Sequence, residues 1–340
     1  MTFRTAAAVA ALISLGFSGS AEAAKLDQIK SKGFIQCGVN GVLPGFSTPD
    51  DQGKFSGIDV DYCRALAAAV FGDATKVKFT PLTAKERFTA LQSGEIDVLS
   101  RNTTWTFGRD TALGLNFVGV MYYDGQGIMV DKKRVDVKSA KELGGATICV
   151  NQGTTTELNL ADFFKKNNMQ FTPVTYEKMD EVVAAYAAGR CDAYTTDRSG
   201  LAAQRIKLKT PADHVILPEV MSKEPLGPVV QHGDDQWFDI AKWTYYALLN
   251  AEEYGVTSAN VDDLKANSKD GEVRRLLGVE GELGEKLGLP NDWAYQIVKQ
   301  VGNYGEIYEK NIGPNTPIGL DRGVNALYSN QGLQYAPPMR

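Results

Sequence analysis

The chain nearly repeats itself, and that repeat limits the folds open to it. The pentapeptide FTPLT at 79–83 returns as FTPVT at 171–175. Each copy runs into a helical segment, a glycine (Gly94 or Gly189) and a short apolar strand carrying Asp97 or Asp192; five residues beyond that aspartate stands Asn102 or Asp197. Upstream, Cys37-Gly38-Val39-Asn40 is echoed by Cys149-Val150-Asn151. Recurrence in this order predicts two copies of one α/β unit, and so two lobes with polar groups at matching strand ends. Open α/β sheets bind ligands just past the carboxyl ends of their strands. If the lobes face each other, Asn102 and Asp197 meet across a cleft.

Around the repeat the pattern is regular. Strands are expected at 34–39, 76–81 and 96–99, with a helix at 64–71 and a second from the capping-box pair Thr83 and Glu86 to Gln92. Asp59 and Asp61 stand near a helix start, where the dipole favours them. Residues 115–123 and 127–130 read as extended, with a bend at Asp124-Gly125. A strand at 147–150 leads into Asn151-Gln152-Gly153-Thr154-Thr155-Thr156-Glu157 and a helix to about 166. After Gly227 a strand fragment and a long helix at 238–253 return the chain to its first unit, and a further helix is expected from 293 to about 310. The first lobe is therefore discontinuous, 24–126 with 228–340, and the second covers 127–227. The crossings fall near residues 125–127 and near Gly227, and the stretch from Asn311 is irregular.

Bulk properties narrow the function. With 340 residues, 43% hydrophobic and 23% charged, the chain has the make-up of a soluble globular protein of about two domains. A net charge of −5 supplies no basic excess for a nucleic-acid partner. Residues 1–23 combine Arg4, an apolar core at 6–17 and Ala21-Glu22-Ala23, the layout of a cleaved secretory leader, so the mature protein is expected to be exported. Four cysteines in an oxidising compartment favour disulfides, and three pairings are open. Neighbourhood favours Cys37 with Cys63 and Cys149 with Cys191. No CxxC spacing occurs and His214 and His232 stand alone, so neither metal nor cofactor is expected.

The functional stretch is RNTTWTFGRD, residues 101–110, just past a strand's carboxyl end. Asn102, Thr103, Thr104 and Thr106 offer amide and hydroxyl groups. Arg109 offers a planar fork of donors suited to a carboxylate. In the second unit the helix start at Thr154 to Glu157 is a candidate anion site and has capping-box spacing, two readings that are compatible.

Taken together, the leader and the segments GIDVDYCRALAAAVFG, SGEIDVLSRNTTWTFGRD, NFVGVMYYDGQGIMV, ICVNQGTTTEL and GRCDAYTTD resemble the periplasmic solute-binding proteins, family 3, of ABC transporters for polar amino acids, over about residues 25–253. The RNTTWT variant and the long tail look most like the general L-amino-acid subgroup, which also serves glutamate, glutamine, aspartate and asparagine. The resemblance implies a two-lobed, type II fold, each lobe a mixed sheet flanked by helices, with two hinge crossings. It implies a monomer without catalytic activity that closes on a free L-amino acid and docks on a membrane permease. By the same similarity Arg109 takes the α-carboxylate, aided by Thr104 and the backbone around Thr155, while Asp197 takes the α-ammonium with Asn102 beside it. A zwitterion needs one fixed cation and one fixed anion, which agrees with the residues themselves. Where relatives commonly carry serine stands Arg101, which either meets an acidic ligand side chain or forms a surface ion pair. Where many stack aromatics stand Leu43 and Ala84, so a roomier, acid-tolerant pocket is expected.

Two other classes share these features. A small-acid dehydratase on the same fold needs a poised acid or base, for which only Asp197 is at hand. A sensory amino-acid carrier would have the same sequence features and differ in its partner.

Overall fold

The computed structural model describes residues 24–340, so the leader expected at 1–23 lies outside the described residues. Two five-stranded sheets carry the architecture. The first has the order Val77–Pro81, Ile35–Val39, Val98–Leu99, Val229–Gln231, Leu115–Phe117. Its first three strands are parallel and Val229–Gln231 runs antiparallel to both of its neighbours. The second has the order Thr172–Tyr176, Thr147–Asn151, Ala193–Asp197, Gln126–Asp131, His214–Ile216, again with three parallel strands and an antiparallel fourth. The repeat is therefore a repeat of topology. Its register differs: the first residue of FTPLT, Phe79, lies opposite Cys37 in one sheet, whereas the fourth of FTPVT, Val174, lies opposite Cys149 in the other.

The sheets are joined by two crossings that pair with each other, Tyr122–Asp124 antiparallel to Glu224–Leu226. The fourth strand of each sheet follows directly after a crossing, which is why each sheet is mixed. Helix Ile58–Phe71 packs behind the first sheet and is buried from Ile58 to Val70 except at Arg64. Its Ala65, Ala67, Ala68 and Ala69 allow the close approach that burial on several faces demands. Disulfides join Cys37 to Cys63 and Cys149 to Cys191, one in each unit.

The single helix expected over 293–310 is two, Trp293–Val301 and Tyr304–Asn311. Between them Gly302 takes a positive φ of 97°, and Asn303 and Glu306 form a reciprocal capping box. Local hydrogen bonding thus outweighs an apolar stripe that would have run on. The tail beyond is tied to the first crossing. Asn325 accepts from the Tyr123 N–H at 2.7 Å and donates to its carbonyl at 3.1 Å, and Gln334 donates to the Val120 carbonyl at 3.0 Å. Among the described residues no helix is long and apolar enough to cross a membrane.

Candidate functional site

Asp59 organises the first half of the site. At the start of helix Ile58–Phe71 it is buried and accepts from the Ser100 hydroxyl and the Asn102 N–H, each at 3.0 Å. Its role thus goes beyond the helix dipole: it pins the turn after strand Val98–Leu99. Asn102 sits in that turn with φ 35°, a backbone region asparagine tolerates better than most residues. The Asn102 amide accepts from Asn40 at 3.3 Å and points its Nδ2 at the Asp197 carboxylate of the other sheet, a long contact of 3.5 Å.

The next residues are stitched to the returning crossing. Gly227 donates to the Thr103 carbonyl and Trp105 donates to the Pro225 carbonyl, with Thr104 bridged to Leu226. Thr106 then caps helix Phe107–Ala112 by accepting from the Arg109 N–H. The Arg109 guanidinium donates to the Thr104 carbonyl at 2.9 Å and lies 5.0 Å from the Phe88 ring centre.

From the second sheet, strand Thr147–Asn151 delivers Asn151, and helix Thr155–Lys166 begins with Thr154 accepting from the Glu157 N–H. Asp197 ends strand Ala193–Asp197 at the cap position of helix Arg198–Arg205, yet its side chain makes no capping bond. Asp124 caps that helix instead, taking both the N–H and the hydroxyl of Ser199. That exchange leaves the Asp197 carboxylate free to face the other sheet.

One pocket between the sheets gathers Arg101, Asn102, Thr104, Thr155 and Asp197 with Ala84, Arg87, Asn151 and Met179. The first five, and Ala84, are positions that the sequence places at the site. Arg109 is not in the lining; it stands behind Thr104, held by that residue's carbonyl. Leu43 is buried elsewhere, and Phe46 packs edge-on against Tyr122.

Sequence reasoning missed Arg87, Asn151 and Glu224. Arg87 begins helix Arg87–Gln92, the helix end where a cation is least favoured. That misplacement was a usable signal. Its Nε, like the Asn151 Oδ1, is buried without a hydrogen-bond partner, an unpaired donor and an unpaired acceptor in residues of one pocket. Asn151 echoes Asn40 in the repeat, which was also legible. Glu224 carries no local sequence signal.

The electrostatics are polarised. Burial lowers the pKa of Arg87, Arg101 and Arg109, Arg101 to about 10, and none of the three is in an ion pair within 4.0 Å among the described residues. Burial raises Asp59 to about 6 and Asp124 to about 6. Asp197 is raised well above the usual carboxylate range, by burial first and then by Asp124 and Glu224. A low-dielectric pocket with guanidinium groups on one side and a reluctant carboxylate on the other suits a ligand carrying both charges. Among the described residues no His/Cys/Asp/Glu cluster could hold a metal ion, and the pocket presents no metal-ligand set. His214 is taken up by the Tyr186 hydroxyl at 2.8 Å.

Comparison with known proteins bears on this geometry. Residues 35–277 match the family model of bacterial extracellular solute-binding proteins, family 3. The general L-amino acid-binding periplasmic protein AapJ of Rhizobium johnstonii is 62% identical, over 99% of this chain and 98% of its own. The glutamate/glutamine/aspartate/asparagine-binding protein BztA of Rhodobacter capsulatus is 57% identical, over 98% of this chain and 97% of its own. A periplasmic binding protein of an ABC transporter from Brucella ovis, solved with glutathione bound, superposes with a TM-score of 0.92 at 58% identity, covering 94% of this chain and all of that one.

Proposed function

The chain belongs to the bacterial extracellular solute-binding proteins of family 3, and from that premise we propose that it is the periplasmic component of an ABC importer for L-amino acids, with polar and acidic side chains favoured. Its lobes, 24–126 with 228–340 and 127–227, close on the ligand, and the closed form delivers it to a membrane permease as a monomer. The observation that carries this reading is a pocket in which Asp197 from one sheet faces Arg101 and Arg87 from the other. A zwitterion touching both lobes binds the closed form better than the open one, and only such differential contact shifts the equilibrium. Asp197, with Asn102 beside it, receives the α-ammonium. Arg109 and the backbone N–H groups at the start of helix Thr155–Lys166 serve the α-carboxylate, and Arg101 with Arg87 receives an acidic side chain. No chemical step is assigned to the pocket.

The test is a melting and calorimetric screen of the chain lacking residues 1–23 against the free L-amino acids. Glutamate, glutamine, aspartate or asparagine should raise the melting temperature in proportion to the logarithm of concentration over Kd. Silence of both readouts with every amino acid, or multiple-turnover product from any of them, would defeat the proposal.

Affinity should also depend on pH. Asp197 starts with a raised pKa, and pairing with an ammonium lowers it, so binding expels a proton. Affinity should therefore weaken as pH falls through the raised pKa of free Asp197, by up to roughly tenfold per unit within the window between its free and ligand-bound pKa values. Above that window it should be flat. Calorimetry in buffers of different ionisation enthalpy measures the proton directly; uptake rather than release would contradict the assignment.

A further inference from the structure

Glu224 lies on the returning crossing, is 1% exposed, and is surrounded by donors. Its Oε2 accepts from the Thr104 hydroxyl at 2.6 Å and from the Thr155 hydroxyl at 2.8 Å, so one oxygen joins residues from the two halves of the cleft. Its Oε1 accepts from the Asn159 amide at 2.8 Å and the Ser222 hydroxyl at 2.6 Å. Four donors on two oxygens suit an ionised carboxylate, an acceptor only.

The bookkeeping of protons then has a consequence for the pocket. A threonine hydroxyl has one proton to donate and two lone pairs. With both protons committed to Glu224, Thr104 and Thr155 have no proton left for a ligand, although both residues line the pocket. Their oxygens, 3.3 Å apart, are left as acceptors. The same pocket holds the unpartnered Asn151 Oδ1 and the Asp197 carboxylate.

We propose that Glu224 is a positioning residue that turns the Thr104 and Thr155 hydroxyls into acceptors, so that the pocket selects ligands bearing a primary ammonium over carboxylic acids that lack one. The proposal rests on the amino-acid reading of the site and adds to it the residue that decides between an amino acid and its des-amino counterpart. On this account the ligand carboxylate is held by guanidinium and backbone N–H groups, and the two hydroxyls serve the other end. An isosteric amide at position 224 has only one oxygen and brings two protons. If its oxygen stays on the Asn159 and Ser222 donors, its NH2 faces Thr104 and Thr155, whose hydroxyls then accept from it and turn their protons into the pocket, where they favour a carboxylate.

The experiment compares calorimetric Kd values for L-glutamate with glutarate, and for L-glutamine with glutaramate, in the unsubstituted protein, Glu224→Gln, Glu224→Asp and Thr155→Val. The unsubstituted protein should prefer the amino acid of each pair. Glu224→Gln should reduce that preference at least about tenfold, a change of about 1.4 kcal/mol. Glu224→Asp should retain most of it. Thr155→Val keeps the charge at 224 and removes one oriented acceptor, so it should reduce the preference too. Equal losses for both members of each pair would make Glu224 a brace between the lobes and overturn the proposal. So would a reduced preference in Glu224→Gln with none in Thr155→Val, since charge alone would then account for it. An unsubstituted protein that binds no amino acid would instead overturn the reading of the site itself.

Discussion

Asp197→Asn should cost the protein roughly two orders of magnitude in affinity for its amino acid, about 3 kcal/mol, because the ligand's ammonium would be buried against an amide with no counter-charge. The substitution is isosteric and can keep the contact with Asn102. It should not unfold the protein. Asp197 makes no capping bond and its carboxylate is held at a raised pKa by burial, so replacing it by a neutral group removes a cost of folding. The melting temperature without ligand should therefore hold or rise, while the shift induced by a given ligand concentration shrinks, by up to about 2.7 kcal/mol of stabilisation. A ligand-induced shift that is undiminished at the same ligand concentration would remove Asp197 from the ammonium site. The variant should also abolish proton release, which ties this result to the pH dependence expected of the unsubstituted protein.

Arg109→Ala should be of similar size, a loss of at least about 2 to 3 kcal/mol, for a different reason. The guanidinium is spread over the Phe88 ring and bonded to the Thr104 carbonyl, so its removal strips both the charge behind Thr104 and the anchor of that residue. Arg109→Lys should restore little, since an ammonium has no planar fork with which to keep the carbonyl and meet a carboxylate. Near-unchanged binding by Arg109→Ala would hand the carboxylate to Arg87, whose Nε is buried without a partner and whose side chain lines the pocket.

Much of the architecture was legible because its signals are local. The FTPLT and FTPVT segments became matching edge strands in two sheets of identical plan. The Thr83 and Glu86 pair makes both of its expected bonds, and Thr154 caps its helix as its spacing suggests. Where two local signals competed, the apolar stripe from Trp293 was the wrong one to follow, and Gly302 with Asn303 prevailed. The tail illustrates the opposite case. Nothing in its Gly, Pro and Asn content announces that Asn325 pairs with both backbone groups of Tyr123, 202 residues earlier.

The order of residues along the chain was enough to set two α/β lobes, polar ends on their strands, and Asn102, Thr104 and Asp197 within reach of one cleft. It was enough because hydrophobic period, capping and strand-end placement depend on neighbours a few positions away. Which arginine faces the pocket, which acid caps helix Arg198–Arg205, and where the protons of Thr104 and Thr155 go were settled only by packing. Those outcomes depend on burial and on partners such as Glu224, 120 residues from Thr104, which come together only once both sheets have formed and the crossings have paired.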